Sequence, residues 1–124
     1  MPEFEVAPGL SLDSPVELAA ADAEAIDSRA AAWEGPGLHV VVDEGELADP
    51  LLSYGARPDA AVREETIGGR RARVVTFTLE GGVPFAAAHF PADDRRGPLT
   101  ISATGTAGES TDVPLHLLRS VTFS

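Results

Sequence analysis

Cysteine is absent from this chain of 124 residues. Without thiols the protein has no disulfide framework, no thiolate zinc site and no cysteine nucleophile. The fold must therefore rest on an apolar core, and a chain of this length buries enough surface for one domain. We assign residues 1–124 to a single domain.

Lysine is also absent, and the charge is strongly one-sided. Nine arginines stand against 20 acidic residues, so the formal net charge is −11 at pH 7. A surface of this sign repels phosphate backbones and anionic lipid headgroups, which argues against nucleic acid and membrane surfaces as partners. For the oligomeric state we expect a monomer or a weak dimer.

Long hydrophobic runs are missing as well. None approaches the ~20 apolar residues of a transmembrane helix, so we predict no membrane insertion. The N-terminal MPEFEVAPGL has neither the basic start nor the apolar stretch of a secretion signal. We expect the chain as written in the cytoplasm, or in the periplasm or outside the cell if a signal has been removed.

The chain does contain a series of short β-strand patterns separated by glycine and proline. Four of them, AAVREETI, RRARVVTFTLE, VPFAAAHFPA and LTISATGTA, follow one another through residues 60–106. Gly-Gly pairs separate the first three, and glycine accepts the positive φ angles of a two-residue hairpin turn without steric cost. The pattern predicts an antiparallel meander over 60–106.

Further elements are predicted on both sides of the meander. FEVAPGLSL (4–12) and GLHVVVDEG (37–45) have strand patterns, and STDVPLHLLRSVTFS predicts a capped short helix and a closing strand. Alanine and glutamate favour a second helix over 16–25, whereas 26–33 fits a strand equally well. We therefore predict an α+β fold: a single antiparallel sheet of about six strands with one or two short helices on one face.

The two glycine pairs, taken as two-residue turns, predict the register of the meander. Glu64 then lies opposite Arg73, an ion pair across the strands worth about 0.2–1 kcal/mol. Val62 lies opposite Val75, and Val75 opposite Ala88. The core-facing side of the sheet is predicted to carry these apolar residues together with Phe77, Ala86, Phe90, Ile101 and Ala103.

The opposite side of the predicted meander is rich in hydroxyl groups. In the same register Arg63, His89 and Ser102 share one row, and Thr76 and Thr104 share the next. A solvated sheet face explains these residues, because threonine is a good strand former. The alternative is a shallow polar surface for a ligand or protein partner, formed by Arg63, Thr76, His89, Ser102 and Thr104.

The histidines do not form a recognisable catalytic or metal-binding pattern. His39, His89 and His116 lack the HxH or HExxH spacing of a zinc site. Ser102 and His89 are neighbours in the predicted register, but no carboxylate in their row could orient the imidazole for a serine hydrolase.

Two further motifs, an acidic turn and a glycine pair, have simple structural explanations. The acidic residues Asp43, Glu44, Glu46 and Asp49 could bind calcium, but their spacing differs from that of a calcium loop and a solvated acidic turn explains them. Strand-like sequence surrounds Gly68-Gly69 and no lysine follows, which excludes a phosphate-binding loop. We predict no enzyme activity, no cofactor and no metal.

Five segments of the chain follow the order of elements in a known superfamily. They are FEVAPGLSLDSP, IDSRAAAWEGPGLHVVVDEGELADPL, IGGRRARVVTFT, PFAAAHFP and HLLRSVTF. With them the chain resembles small bacterial members of the PsbP-like superfamily, whose fold is that of the extrinsic photosystem II subunit and of a Ran-binding nuclear import factor. The resemblance implies an α/β sandwich on an antiparallel sheet, and a strand over 26–34.

The same resemblance implies an accessory or binding role, because known members mostly act without catalysis. We therefore expect a non-enzymatic accessory or protein-interaction module of a bacterial cell, which offers a sheet face or an edge strand to a protein partner. The alternative is a small-molecule, anion or metal-binding protein that uses the polar face around His89, where Arg63 would favour an anion.

Overall fold

A computed structural model describes residues 3–7, 10–13, 18–21, 29–44, 60–92 and 98–123. Within these residues the chain forms ten strands and one helix. The strands are β1 (Glu3–Ala7), β2 (Leu10–Asp13), β3 (Ala19–Ala21), β4 (Arg29–Gly35), β5 (Leu38–Glu44), β6 (Ala61–Ile67), β7 (Arg70–Leu79), β8 (Val83–Phe90), β9 (Leu99–Thr104) and β10 (Thr122–Phe123), and the helix is α1 (Asp112–Arg119).

The strands form two antiparallel sheets. The main sheet has seven strands in the order β3-β4-β5-β9-β8-β7-β6, and a small sheet has the order β1-β2-β10. The predicted meander is confirmed, because β6, β7, β8 and β9 pair successively. The prediction of a single sheet is wrong, because the two ends of the chain pair with each other instead of joining the main sheet.

Helix α1 lies where the sequence predicts a short helix. The Ser110 hydroxyl accepts a hydrogen bond from the backbone N–H of Asp112 (3.1 Å) at its start. Its buried leucines, Leu115, Leu117 and Leu118, pack with the main sheet, chiefly over β8 and β9. The α+β class is thereby confirmed, and we name the helix-covered side of the main sheet the inner face. Among the described residues no helix has the length and apolarity to cross a membrane.

The second predicted helix, over 16–25, is wrong in its described part. Ala19–Ala21 forms β3 and pairs with β4, because pairing with an existing sheet outweighs a helix propensity of only tenths of a kcal/mol per residue. The alternative of a strand in this region is confirmed for Arg29–Gly35. Residues 22–28 lie outside the described part of the chain.

The first turn of the meander has the two-residue form that the sequence predicts. Gly68 and Gly69 have φ angles of +60° and +83°, as a type I′ turn requires. The pairs predicted around this turn are confirmed, Val62 with Val75 and Glu64 with Arg73.

The second turn is one residue longer than predicted. Leu79 lies opposite Val83, so residues 80–82 form a three-residue loop. The N–H of Gly82 donates to the carbonyl of Leu79 (3.1 Å) across this loop. Val75 consequently lies opposite Ala87 and not opposite Ala88. A shift of one residue exchanges the faces of all following side chains relative to β7.

Both faces of the main sheet are therefore partly buried. The inner face carries the larger core, which contains Val40, Val42, Ala72, Val74, Ala86, Ala88, Phe90, Leu99, Ile101 and Ala103. Leu10 and Leu12 of the small sheet complete it. The opposite side, which we name the outer face, carries a small cluster of Val75, Phe77 and Ala87. The prediction that Val62, Val75 and Phe77 share a face with Ala88 is wrong, because the three-residue loop at 80–82 shifts β8 by one position relative to β7.

Candidate functional site

The outer face holds three of the five polar residues that the sequence predicts as a ligand surface. His89 lies on β8, and Ser102 and Thr104 lie on β9 opposite Ala87 and Phe85. The prediction that Ser102 shares the row of His89 is wrong, because Thr100 lies opposite His89. Ser102 and Thr104 are half-buried, whereas His89 is only 9% exposed. The predicted shallow, open surface centred on His89 is therefore wrong, because the imidazole is covered.

Arg63 and Thr76 lie on the inner face instead. Arg63 lies opposite the core residue Val74. Thr76 lies opposite the core residue Ala86. Thr76 is buried, although the prediction placed it on the polar side. The prediction that these two residues share a surface with His89 is wrong, because the three-residue loop shifts β8 by one position relative to β7.

A row of polar residues crosses the outer face through His89, and we name it the outer row. From β6 to β5 its members lie opposite one another in the order Glu64, Arg73, His89, Thr100 and Asp43. The Nδ1 atom of His89 lies 2.9 Å from the hydroxyl oxygen of Thr100, within hydrogen-bonding distance. The Nε atom of Arg73 lies 3.6 Å from a carboxylate oxygen of Glu64.

Asp43, at the β5 end of the outer row, has a carboxylate oxygen in an unfavourable position. Its Oδ1 atom is buried and accepts no hydrogen bond from any residue that the structure describes. A buried acceptor without a donor costs about 1–3 kcal/mol. A bound group with an N–H or O–H donor would recover this free energy. Glu46 and Asp49, the other residues of the predicted acidic turn, lie outside the described residues.

The three histidines lie well apart. His39 and His89 share the outer face but lie opposite residues four positions apart on β9, which corresponds to about 13 Å along the strand. The Nδ1 atom of His39 lies 3.1 Å from a carboxylate oxygen of Glu34, and His116 is exposed on α1. In the described part of the chain, no three metal-ligating side chains form a group that could hold a metal ion.

The outermost strand of the main sheet, β6, offers a different kind of site. It pairs with β7 on one side, and no strand among the described residues pairs with its other side. The four residues at positions 61–64 are all exposed, and Val62 retains 47% of its accessible surface. An unpaired strand edge is a template on which another extended segment can add. We name this strand and its free side the β6 edge.

The register shows which backbone groups the β6 edge presents. In a two-residue hairpin, the pair next to the turn exchanges both of its hydrogen bonds, and hydrogen-bonded and free pairs then alternate. Counted from the pair Ile67–Arg70, the residues whose backbone N–H and C=O groups point away from β7 are Val62, Glu64 and Thr66. Each supplies one donor and one acceptor to an added strand.

On the inner side of the β6 edge, one glutamate interacts with two arginines. Arg119, at the end of α1, donates two hydrogen bonds of 2.9 Å to the two carboxylate oxygens of Glu65. Arg63 lies 3.8 Å from the same carboxylate. The hydrogen bonds from Arg119 hold the pKa of Glu65 below its usual value, and they raise the pKa of Arg119.

The outer side of the β6 edge repeats this arrangement. The Glu64 carboxylate lies 3.6 Å from Arg73 and 3.9 Å from Arg71. Across the two faces, two carboxylates thus interact with four guanidinium groups. The Glu64–Arg73 pair is predictable from the Gly-Gly turn, whereas Arg119 lies 54 residues from Glu65 and no local pattern connects them.

Comparisons with protein-family models, curated proteins and solved structures give no match to this chain. The resemblance to the PsbP-like superfamily therefore stays a prediction made from the sequence. The described residues thus offer two candidate sites, the outer row and the β6 edge.

Proposed function

We propose that this protein is a non-enzymatic protein-interaction module of a bacterial cell, and that it binds its partner along the β6 edge. The observation that carries the proposal is the seven-residue edge strand with exposed residues at positions 61–64. An extended partner segment gains main-chain hydrogen bonds on such an edge, and its alternate side chains contact the residues on either face.

Other parts of the main sheet are less suitable for docking an extended segment. The opposite edge strand, β3, has three residues in the described part of the chain, and these offer a much shorter ladder. On the outer face, His89 is already buried. The β6 edge also presents Val62, one of two exposed large apolar residues among those described, together with Val113 of α1. An apolar side chain on the added strand can pack against Val62 as a cross-strand pair.

The accessory character of the proposed role comes from the resemblance to the PsbP-like superfamily. An antiparallel sheet with a helix packed on one face supports this part of the proposal. An experimental structure of the chain that superimposes on a superfamily member over the main sheet and α1 would establish the relationship.

Affinity capture from the native host tests the proposed function. Val62→Pro removes an outward-pointing N–H group, and proline is tolerated on edge strands, so the ladder between β6 and β7 stays intact. We expect a stoichiometric partner with the unaltered protein and its loss with Val62→Pro. Val113→Ser is the matched control at the other exposed valine and should retain the partner. Equal recovery with Val62→Pro, or no stoichiometric partner at all, would contradict the proposal.

A second candidate function is binding of a small molecule or metal ion at the outer row. The buried Oδ1 atom of Asp43 favours this function. Arg63, the arginine expected to favour an anion beside His89, lies on the other face, and Arg73, which lies opposite His89 instead, is 3.6 Å from the Glu64 carboxylate. The outer row ends instead in a carboxylate, which favours a cation or a ligand with N–H or O–H donors.

Thermal-shift measurements with divalent cations and small amines test this second function. We expect a stabilising shift in the unaltered protein that is lost in Asp43→Asn. A shift that survives the substitution, or the absence of any shift, would rule out the outer row as a ligand site for these compounds.

A further inference from the structure

The side chains grouped around the β6 edge carry a net positive charge in a protein that is otherwise strongly acidic. β6 itself contributes Arg63, Glu64 and Glu65, and three further arginines reach its two carboxylates from β7 and α1 (Arg71, Arg73 and Arg119), so the group has a formal charge of +2. Because the whole chain carries −11, all other residues together carry −13. Arg119 belongs to this group because it binds Glu65.

This positive charge is present on both faces of the β6 edge. On the inner face Arg119 already binds both oxygens of Glu65, so Arg63 adds a second positive charge beside one carboxylate. On the outer face Glu64 lies beside Arg73 and Arg71. Of the two arginines beside each glutamate, the one farther from the carboxylate is Arg63 on the inner face and Arg71 on the outer face. Their side chains are 46% and 81% exposed.

We propose that the β6 edge recognises an extended acidic segment of a partner protein. The segment adds to β6 as a further strand and places carboxylates on both of its faces, close to Arg63 and Arg71. Arginine is well suited to this role, because its guanidinium binds a carboxylate through two parallel hydrogen bonds. The inference rests on the proposed function of the β6 edge and names the chemistry of its partner.

The alternation of side chains along a strand specifies the acidic motif further. Neighbouring residues of an added strand project to opposite faces of the sheet. Acidic residues opposite Arg63 and Thr66 therefore place one carboxylate on the inner face and one on the outer face beside Arg71, which pairs with Thr66, and neither lies directly opposite Glu64. An apolar residue next to the acid opposite Arg63 would lie opposite the exposed Val62.

The charge distribution argues against other occupants of the β6 edge. A second copy of the chain would bring together two molecules of charge −11, and a basic segment would meet four arginines. Nucleic acid would be repelled by the −13 of the remaining residues, and it has no peptide backbone to continue the ladder. The negative charge of the remaining residues would also repel a partner that is acidic throughout. We therefore expect the acidic residues of the partner within one short segment.

Two synthetic peptides of the length of β6 test the inference. One carries two glutamates three positions apart with valine and threonine at the other positions, and the other has glutamines in their place. Binding to the full chain is followed by the NMR shifts of its backbone amides. We expect the acidic peptide to bind about tenfold more tightly than the glutamine peptide, with shifts at Val62, Glu64 and Thr66, and to weaken as salt is added.

Variants that remove either positive or negative charge from the β6 edge extend this test. The double variant Arg63→Gln/Arg71→Gln should bind the two peptides about equally, because the surplus arginine on each face is lost. Glu64→Gln should raise the affinity for the acidic peptide, because it removes the carboxylate beside Arg71 and Arg73. Thermal unfolding of each variant confirms that it is folded.

The possible negative outcomes are distinguishable. Equal binding of the two peptides to the unaltered protein, with shifts still at the β6 edge, overturns the acidic preference and leaves edge docking in place. Tighter binding of a single-stranded DNA oligomer at the same amides assigns the edge to nucleic acid and overturns the inference. Binding of neither peptide overturns it as well, while the Val62→Pro capture experiment decides the proposed function separately.

Discussion

Arg119 and Glu65 connect the C-terminal helix to the edge strand of the main sheet through two parallel hydrogen bonds of 2.9 Å. The Nε and Nη2 atoms of the arginine each bind a separate carboxylate oxygen. Because α1 packs on the inner face and β6 forms the edge, this pair holds the proposed docking strand against the body of the protein. Arg119 is 45% exposed, so solvent weakens the interaction.

Glu65→Gln is expected to lower the free energy of unfolding at pH 7 by about 1 kcal/mol. The amide keeps the shape of the side chain but loses the charge that binds Arg119. Urea unfolding measures the change. Glu64→Gln is the matched control on the same strand, and its longer contacts predict a loss below about 0.5 kcal/mol. A larger loss for the control would contradict the importance assigned to the Arg119 pair.

The same pair predicts a dependence of stability on pH. Because the hydrogen bonds from Arg119 lower the pKa of Glu65 in the folded state, the contribution of Glu65 is complete above the unfolded pKa of about 4.3. It is lost as pH falls through that value and then through the lower folded pKa. Urea unfolding between pH 7 and pH 3 should show the difference between Glu65→Gln and the unaltered protein shrinking towards the acid end. A constant difference would contradict the assignment.

Alanine substitutions at the two turn glycines should differ in cost. Both residues have positive φ, which costs a non-glycine residue about 1 kcal/mol. A Cβ atom on Gly68 would also approach the Val121 carbonyl oxygen to 2.8 Å and the Phe123 ring to 2.9 Å, whereas Gly69 has open space. Chemical denaturation should show a loss of about 1 kcal/mol for Gly69→Ala and at least about 2 kcal/mol for Gly68→Ala. Equal losses would mean that the turn does not pack against the C-terminal strand.

Arg70→Lys is expected to destabilise the protein by about 1 kcal/mol. The guanidinium of Arg70 lies 4.8 Å from the ring centre of Phe123 and 5.7 Å from that of Phe90. It also donates a hydrogen bond of 2.6 Å to the carbonyl of Pro91. An ammonium group loses the planar stacking and part of this geometry. Thermal unfolding should show no comparable change for Arg71→Lys, the exposed neighbour; similar losses at both sites would argue against a specific role of Arg70.

Asp43→Asn tests the buried oxygen of the outer row in the ligand-free protein. Removing a charge whose Oδ1 atom has no donor among the described residues should leave stability unchanged or raise it by up to about 1 kcal/mol. Asp112→Asn, in the first turn of α1, should lower stability by about 0.5 kcal/mol, because an acid there interacts favourably with the helix dipole. Opposite signs in urea unfolding support the environment described for Asp43. A loss above about 1 kcal/mol at Asp43 would show that a partner holds the carboxylate.

The fold could be predicted from the sequence where a few neighbouring residues decide the structure. Gly68-Gly69 predicts a two-residue turn, and that turn alone leads to the Glu64–Arg73 pair. The start of α1 is similarly readable, because Ser110 lies two residues before Asp112 and its hydroxyl accepts a hydrogen bond from the Asp112 N–H, although the N-cap residue Thr111 makes no side-chain capping hydrogen bond. In both cases the backbone geometry depends on residues within one turn of the chain.

The register beyond β7 could not be predicted in the same way. A Gly-Gly pair fits a two-residue turn and also a three-residue loop, and the loop at 80–82 is of the second kind. The hydrophobic pattern did not resolve this choice, because Val74 and Val75 are both fully buried. The outer row was missed for this reason, and also because β9 pairs with β8 two residues away from the predicted register, so that Thr100 and not Ser102 lies opposite His89.

Composition and local turn chemistry were thus sufficient to predict an acidic, cysteine-free α+β protein built around an antiparallel meander. Tertiary structure alone decided that Ala19–Ala21 is a strand, that the chain ends form a second sheet, and that Arg119 meets Glu65. These features depend on contacts between residues far apart in the chain. The free energy of such contacts arises only when the elements pack together, and it exceeds the small local preferences that a sequence displays.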